Sequence, residues 1–103
     1  MITKKSVARS TLKKIRKEDL SFGKMMESIR LCEAITQAEL ARKLKISRAH
    51  LCDIEKGRRT VTPEKAAEFA EILGYSVSQF VARAIEDSLN RMGLKFKVEV
   101  KAA

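Results

Sequence analysis

Arg48, Ala49, Cys52, Asp53 and Lys56 stand at i, i+1, i+4, i+5 and i+8, the spacing that puts side chains on one face of a helix. That face is polar and carries two positive charges. A helix of this kind fits the major groove of DNA, where a bidentate Arg reads guanine and a good pair discriminates by ~1–3 kcal/mol. The surroundings suit a polyanion: residues 42–59 hold seven basic and two acidic residues, while residues 18–92 as a whole sum to zero. Other chemistry is poorly served. His50 is the only histidine, and Cys32 and Cys52 form no Cys-x-x-Cys pair, so no metal set can be assembled and no cofactor is implied. His50 and Cys52, two apart on a helix, point in different directions. With no nucleophile motif and no glycine-rich phosphate loop in 103 residues, an enzyme is not expected.

The elements that must position this face follow from periodicity and caps. Phe22, Met25, Met26, Ile29 and Cys32 or Glu33 recur at helical spacing, which predicts a first helix over about residues 21–33. Thr36 ahead of Glu39 is a capping box, in which hydroxyl and carboxylate satisfy each other's orphan backbone donors, and opens a second helix over 37–44. Ser47 caps a third, with Leu51 and Ile54 facing inward and Gly57 stopping it. Only Lys45 and Ile46 separate Leu44 from Ser47, so these two helices must cross steeply, as in a helix-turn-helix. Ala41 faces their crossing point, and Leu40, Leu44, Ile46, Leu51 and Ile54 form the wedge between them. Thr62 and Pro63 open a fourth helix that Gly74 closes. Ser76 opens a fifth, whose stripe of Val77, Phe80, Val81, Ala84, Ile85, Leu89 and Met92 ends at Gly93. Beyond it Leu94, Phe96, Val98 and Val100 alternate with Lys95, Lys97, Glu99 and Lys101, the two-residue period of a strand. A lone strand needs a ladder partner, either the same strand of a second subunit or a different protein; the alternative is a tail laid on the fifth helix.

Residues 36–59, TQAELARKLKISRAHLCDIEKGRR, resemble the Cro/repressor-type (XRE-like) helix-turn-helix family. Thr36-Gln37-Ala38-Glu39-Leu40-Ala41, Ile46-Ser47-Arg48 and Ile54-Glu55-Lys56-Gly57-Arg58-Arg59 carry the likeness, with Ile72-Leu73-Gly74 and Ser76 following, and it extends over about residues 22–81. The resemblance implies an all-α, five-helix DNA-binding domain, to which the C-terminal period adds a β-strand expected to serve dimerisation. It puts Arg48, Ala49 and Asp53 at base-contacting positions, with Cys52 on the same face: Arg48 for guanine, Ala49 for a thymine methyl, Asp53 to accept from cytosine N4 or to hold Arg48 in its rotamer. Gln37, at the N-terminus of the second helix, takes a backbone-phosphate role, and Ser47, His50, Lys56, Arg58 and Arg59 are further phosphate candidates. Arg30 and Glu55 stand where the family has a structural ion pair. Where many relatives have Gly in the turn, this chain has Lys45, which a left-handed conformation would strain by on the order of 1 kcal/mol.

The parts are then a basic arm over residues 1–20, the helix-turn-helix domain over 21–92 and a strand over 93–103. The net charge of +9 is concentrated in the first: residues 1–17 carry seven basic residues and no acid, as in a nucleic-acid-binding arm, mobile or helical only on contact. No run of 18 apolar residues occurs, so no membrane span is expected, and the unpaired cysteines suit a reduced cytoplasmic interior. Four Phe and one Tyr, most of them on apolar stripes, do not suit RNA recognition by stacking. Two functions remain. One is a homodimeric repressor reading palindromic double-stranded DNA, with Phe80, Ile85, Leu89, Phe96 and Val98 at the dimer interface. The other is an antitoxin that binds a cognate toxin and represses its own operon; the basic arm counts against it, since it would repel a basic toxin.

Overall fold

The computed structural model of the chain describes residues 21–101, so the expectations for the basic arm lie outside the described residues. Five helices follow one another: α1 (Phe22–Cys32), α2 (Gln37–Leu44), α3 (Arg48–Glu55), α4 (Pro63–Leu73) and α5 (Val77–Arg91). Each opens on a hydroxyl. Ser21, Thr36, Ser47, Thr62 and Ser76 accept the backbone N–H of the residue three positions on, at 3.0–3.4 Å, satisfying one orphan donor of each first turn. At Thr36 the expected capping box takes another form, because the Glu39 carboxylate accepts from the Thr36 hydroxyl itself at 3.2 Å.

Each of these helices also closes in one way. Ala34, Lys45, Gly57, Gly74 and Gly93 take positive φ, between 56° and 79°. Around each, the two amide bonds of a Schellman motif form; after α3 they are Gly57 N–H to the Ile54 carbonyl at 3.1 Å and Arg58 N–H to the Asp53 carbonyl at 2.8 Å.

The described residues divide into two compact units, one ending at Arg58 and one beginning at Arg59. In the first, α3 packs on both α1 and α2, and Phe22, Met26, Ile29, Leu40, Ala41, Leu44, Leu51 and Ile54 are buried. Gly23 permits the approach of α1 to the end of α3: a Cβ there would collide with the Ile54 carbonyl oxygen and lie 3.0 Å from that of Glu55. In the second unit α4 packs along α5, with Ala66, Phe69, Ala70, Phe80 and Ala84 buried and the Tyr75 ring stacked on Phe80 at 5.9 Å.

The fold class is all-α, but the expected C-terminal β-strand is not formed. Residues 94–101 have no regular structure and pair with no strand among the described residues. After Gly93 the chain turns back, and the Val98 N–H donates to Glu86 Oε1 of α5 at 2.7 Å, while Arg83 holds Oε2 of the same carboxylate at 3.0 Å. A side-chain acceptor on the helix thus replaces a ladder partner. Val98 and Val100 are half-buried and Phe96 stays 63% exposed. Of the side chains expected at a dimer interface, Phe80 is 2% exposed within its own chain, and Ile85 and Leu89 are half-buried.

Candidate nucleic-acid interface

α2 and α3 are joined through Lys45, Ile46 and the cap residue Ser47 alone, and the turn is made by Lys45 at φ 59°, ψ 38°. This left-handed residue lets the Ile46 N–H bond the Ala41 carbonyl at 3.0 Å and turns the chain sharply into the Ser47 cap. Ala41 is buried, as a methyl at a helix crossing should be.

The inner side of α3 is anchored by Leu51, Ile54 and Glu55. Glu55 is the one buried charged residue among those described, with 1% of its side chain exposed. Arg30 of α1 meets it in a bidentate pair, Nε to Oε2 at 2.9 Å and Nη2 to Oε1 at 3.1 Å. Gln37 of α2 donates its amide to Oε1 at 3.0 Å. One carboxylate therefore ties three helices, and no buried side-chain nitrogen or oxygen among the described residues is left without a partner. The expected pair of Arg30 and Glu55 is present. The link to Gln37 was not legible: the residue belongs to the motif, but only the crossing of α2 over α3 aims its amide inward. What it can still present to a phosphate is its second amide hydrogen, beside the free N–H groups of the first turn of α2.

With its inner side so fixed, α3 turns Arg48 and Ala49 outward, both exposed, with Cys52 and Asp53 half-exposed one turn further on and Lys56 exposed at its end. These five lie on one face, as their spacing requires. His50 is half-buried at the edge of that face, and its backbone N–H is held by the Ser47 hydroxyl. Arg58 and Arg59 are exposed beyond the helix. Arg58 is not loose, however: Nε donates to Asp53 Oδ1 at 2.9 Å and Nη2 to Cys52 Sγ at 3.7 Å. The hydrogen bond to Asp53 raises the pKa of this guanidinium above its ordinary value. Sequence spacing places Asp53 and Arg58 five apart, beyond a helical neighbour distance, and only the reversal at Gly57 brings them together.

A sharp turn between two short helices, with the second presenting a polar, basic face, is the arrangement that lays a helix in the major groove. A helix-turn-helix family model matches residues 29–80, half of the chain, from within α1 to the start of α5. The chain belongs to this helix-turn-helix family. It is a DNA-binding regulator. No curated protein and no solved structure matches the chain. No helix among the described residues is long and apolar enough to cross a membrane.

Proposed function

We propose that this helix-turn-helix protein is a sequence-specific repressor that binds an inverted repeat as a homodimer, with α3 of each copy in the major groove. The observation that carries the reading is the division of α3 itself: Leu51, Ile54 and Glu55 are buried, while Arg48 and Ala49 are exposed. In this reading Arg48 takes guanine O6 and N7, Ala49 meets a thymine methyl, and Cys52 fills space against the base edges. Lys56 and Arg59, with the first turn of α2 at Gln37 and the Ser47 and His50 edge of α3, hold phosphates and set the register. Homodimerisation draws support from the second unit, where Ile85 and Leu89 are incompletely covered and Phe96 is exposed.

Selection from random duplexes with the full chain tests this. The expected product is an inverted repeat with half-sites about 10 base pairs apart. Arg48→Ala should relax one base position by about 1–3 kcal/mol, whereas Arg59→Ala should weaken all sequences alike and lower the salt slope by about one unit. Recovery of no preferred sequence would remove sequence-specific repression, and uniform loss from Arg48→Ala would make it a phosphate contact.

A further inference from the structure

We propose that Asp53 acts through Arg58, holding its guanidinium across the outer face of α3 so that the two form a single sequence-discriminating unit. The inference rests on the major-groove reading above and assigns Arg58 a base edge rather than a phosphate. Three contacts hold the pair. The Schellman turn at Gly57 brings residue 58 back over residue 53 through the 2.8 Å backbone bond. The side chain then repeats the connection, Nε to Asp53 Oδ1 at 2.9 Å, with Nη2 on Cys52 Sγ at 3.7 Å and the whole pair open to solvent, 60% and 42% exposed.

Chemistry gives this arrangement a direction. Of the five N–H donors of a guanidinium, Nε and one Nη2 hydrogen are engaged, which leaves both Nη1 hydrogens and the second Nη2 hydrogen. Those form an end-on fork, the shape that grips guanine O6 and N7 together. A phosphate contact needs charge and little direction, and for that purpose an acid on the same face is a loss, because it repels the polyanion and cancels the Arg. An aspartate here is useful where the orientation of the guanidinium matters, and orientation matters for reading bases. An exposed pair of this kind contributes only ~0–1 kcal/mol to folding, so its removal leaves the domain folded.

The sign of the effect decides. The full chain and its Asp53→Ala, Asp53→Asn, Arg58→Ala and doubly substituted Asp53→Ala/Arg58→Ala variants are titrated by fluorescence anisotropy against the selected duplex and a scrambled one. Asp53→Ala should weaken binding to the selected duplex by on the order of 10-fold while binding to the scrambled duplex is unchanged or tighter. Asp53→Asn, whose amide oxygen still accepts from Nε, should recover part of the loss. In the Arg58→Ala background Asp53→Ala should cause no further loss, and duplex selection with either single variant should relax the same base position. Tighter binding of Asp53→Ala to both duplexes alike would reduce Asp53 to a stray charge. An equal loss with and without Arg58 would make Asp53 a base reader in its own right, and an equal loss on both duplexes from Arg58→Ala would make that residue a phosphate contact. Each of these overturns the coupling while leaving DNA recognition by α3 intact; a wild-type chain that enriches no duplex fails the major-groove reading first.

Discussion

Glu55 is a carboxylate in a core, and a charge survives there only when hydrogen bonds replace its water. Arg30 and Gln37 supply three such bonds to its two oxygens. Removing one partner of a buried pair strands the other and typically costs about 3–5 kcal/mol, a large share of the ~5–15 kcal/mol that holds a domain. Arg30→Ala should therefore unfold the protein or strongly lower its thermal midpoint by circular dichroism. Gln37→Ala, which removes one of the three bonds, should cost about 1–3 kcal/mol. A wild-type melt for Arg30→Ala would mean that the ion pair holds nothing. The pair could be anticipated from its place in the motif, but Gln37 as a third member could not, nor could Gly23 beneath the Ile54 carbonyl. Both depend on how closely two helices pass, which single residue identities do not encode.

The helices obey local rules well enough that their limits were largely legible. Four hydroxyl caps, Thr36, Ser47, Thr62 and Ser76, and the three glycines Gly57, Gly74 and Gly93 mark starts and stops in the sequence, and the helices run between them. The same left-handed closure occurs at Ala34 and Lys45, where a Cβ is present. These two sites carry strain of ~1 kcal/mol each that glycine would relieve, less some added freedom in the unfolded chain. Lys45→Gly and Ala34→Gly should each raise the urea midpoint slightly, by up to about 1 kcal/mol of stability. Gly57→Ala, with nothing within 4 Å of the added methyl, should lower it by about as much through backbone conformation alone. If Lys45→Gly destabilised, its side chain would be contributing more than the turn costs. The C-terminal segment marks the limit of this local logic. Its alternation is unmistakable, yet a strand is a property of a pair, and among the described residues the acceptor that meets the Val98 N–H is a carboxylate on α5.

For the whole molecule, charge is what the composition says most clearly. Of the net +9, residues 1–17 hold +7 and residues 93–103 hold +2, so the helical body between them is neutral overall. Sequence discrimination and electrostatic grip should thus be separable. Deleting residues 1–17 should lower affinity steeply and flatten its dependence on salt, since log affinity falls with log salt in proportion to the phosphates neutralised. The selected duplex should stay the same, because α3 is untouched. Salt titrations of the truncated and full chains against that duplex are the check, and an unchanged slope would assign the basic segment to a partner other than DNA.

By itself the sequence determined the five helices, the steep crossing of α2 and α3, and the face of α3 that looks outward. All three follow from short-range physics: caps and left-handed stops act within one turn, and the 3.6-residue period assigns each side chain to a face. Tertiary structure alone decided that Gln37 joins Arg30 on Glu55, that Gly23 must lack a Cβ, that Arg58 folds back onto Asp53, and that Val98 meets Glu86 of α5. Each of these is a contact between backbones or side chains from different turns or different helices. Its existence depends on distances that are set only once those elements have packed.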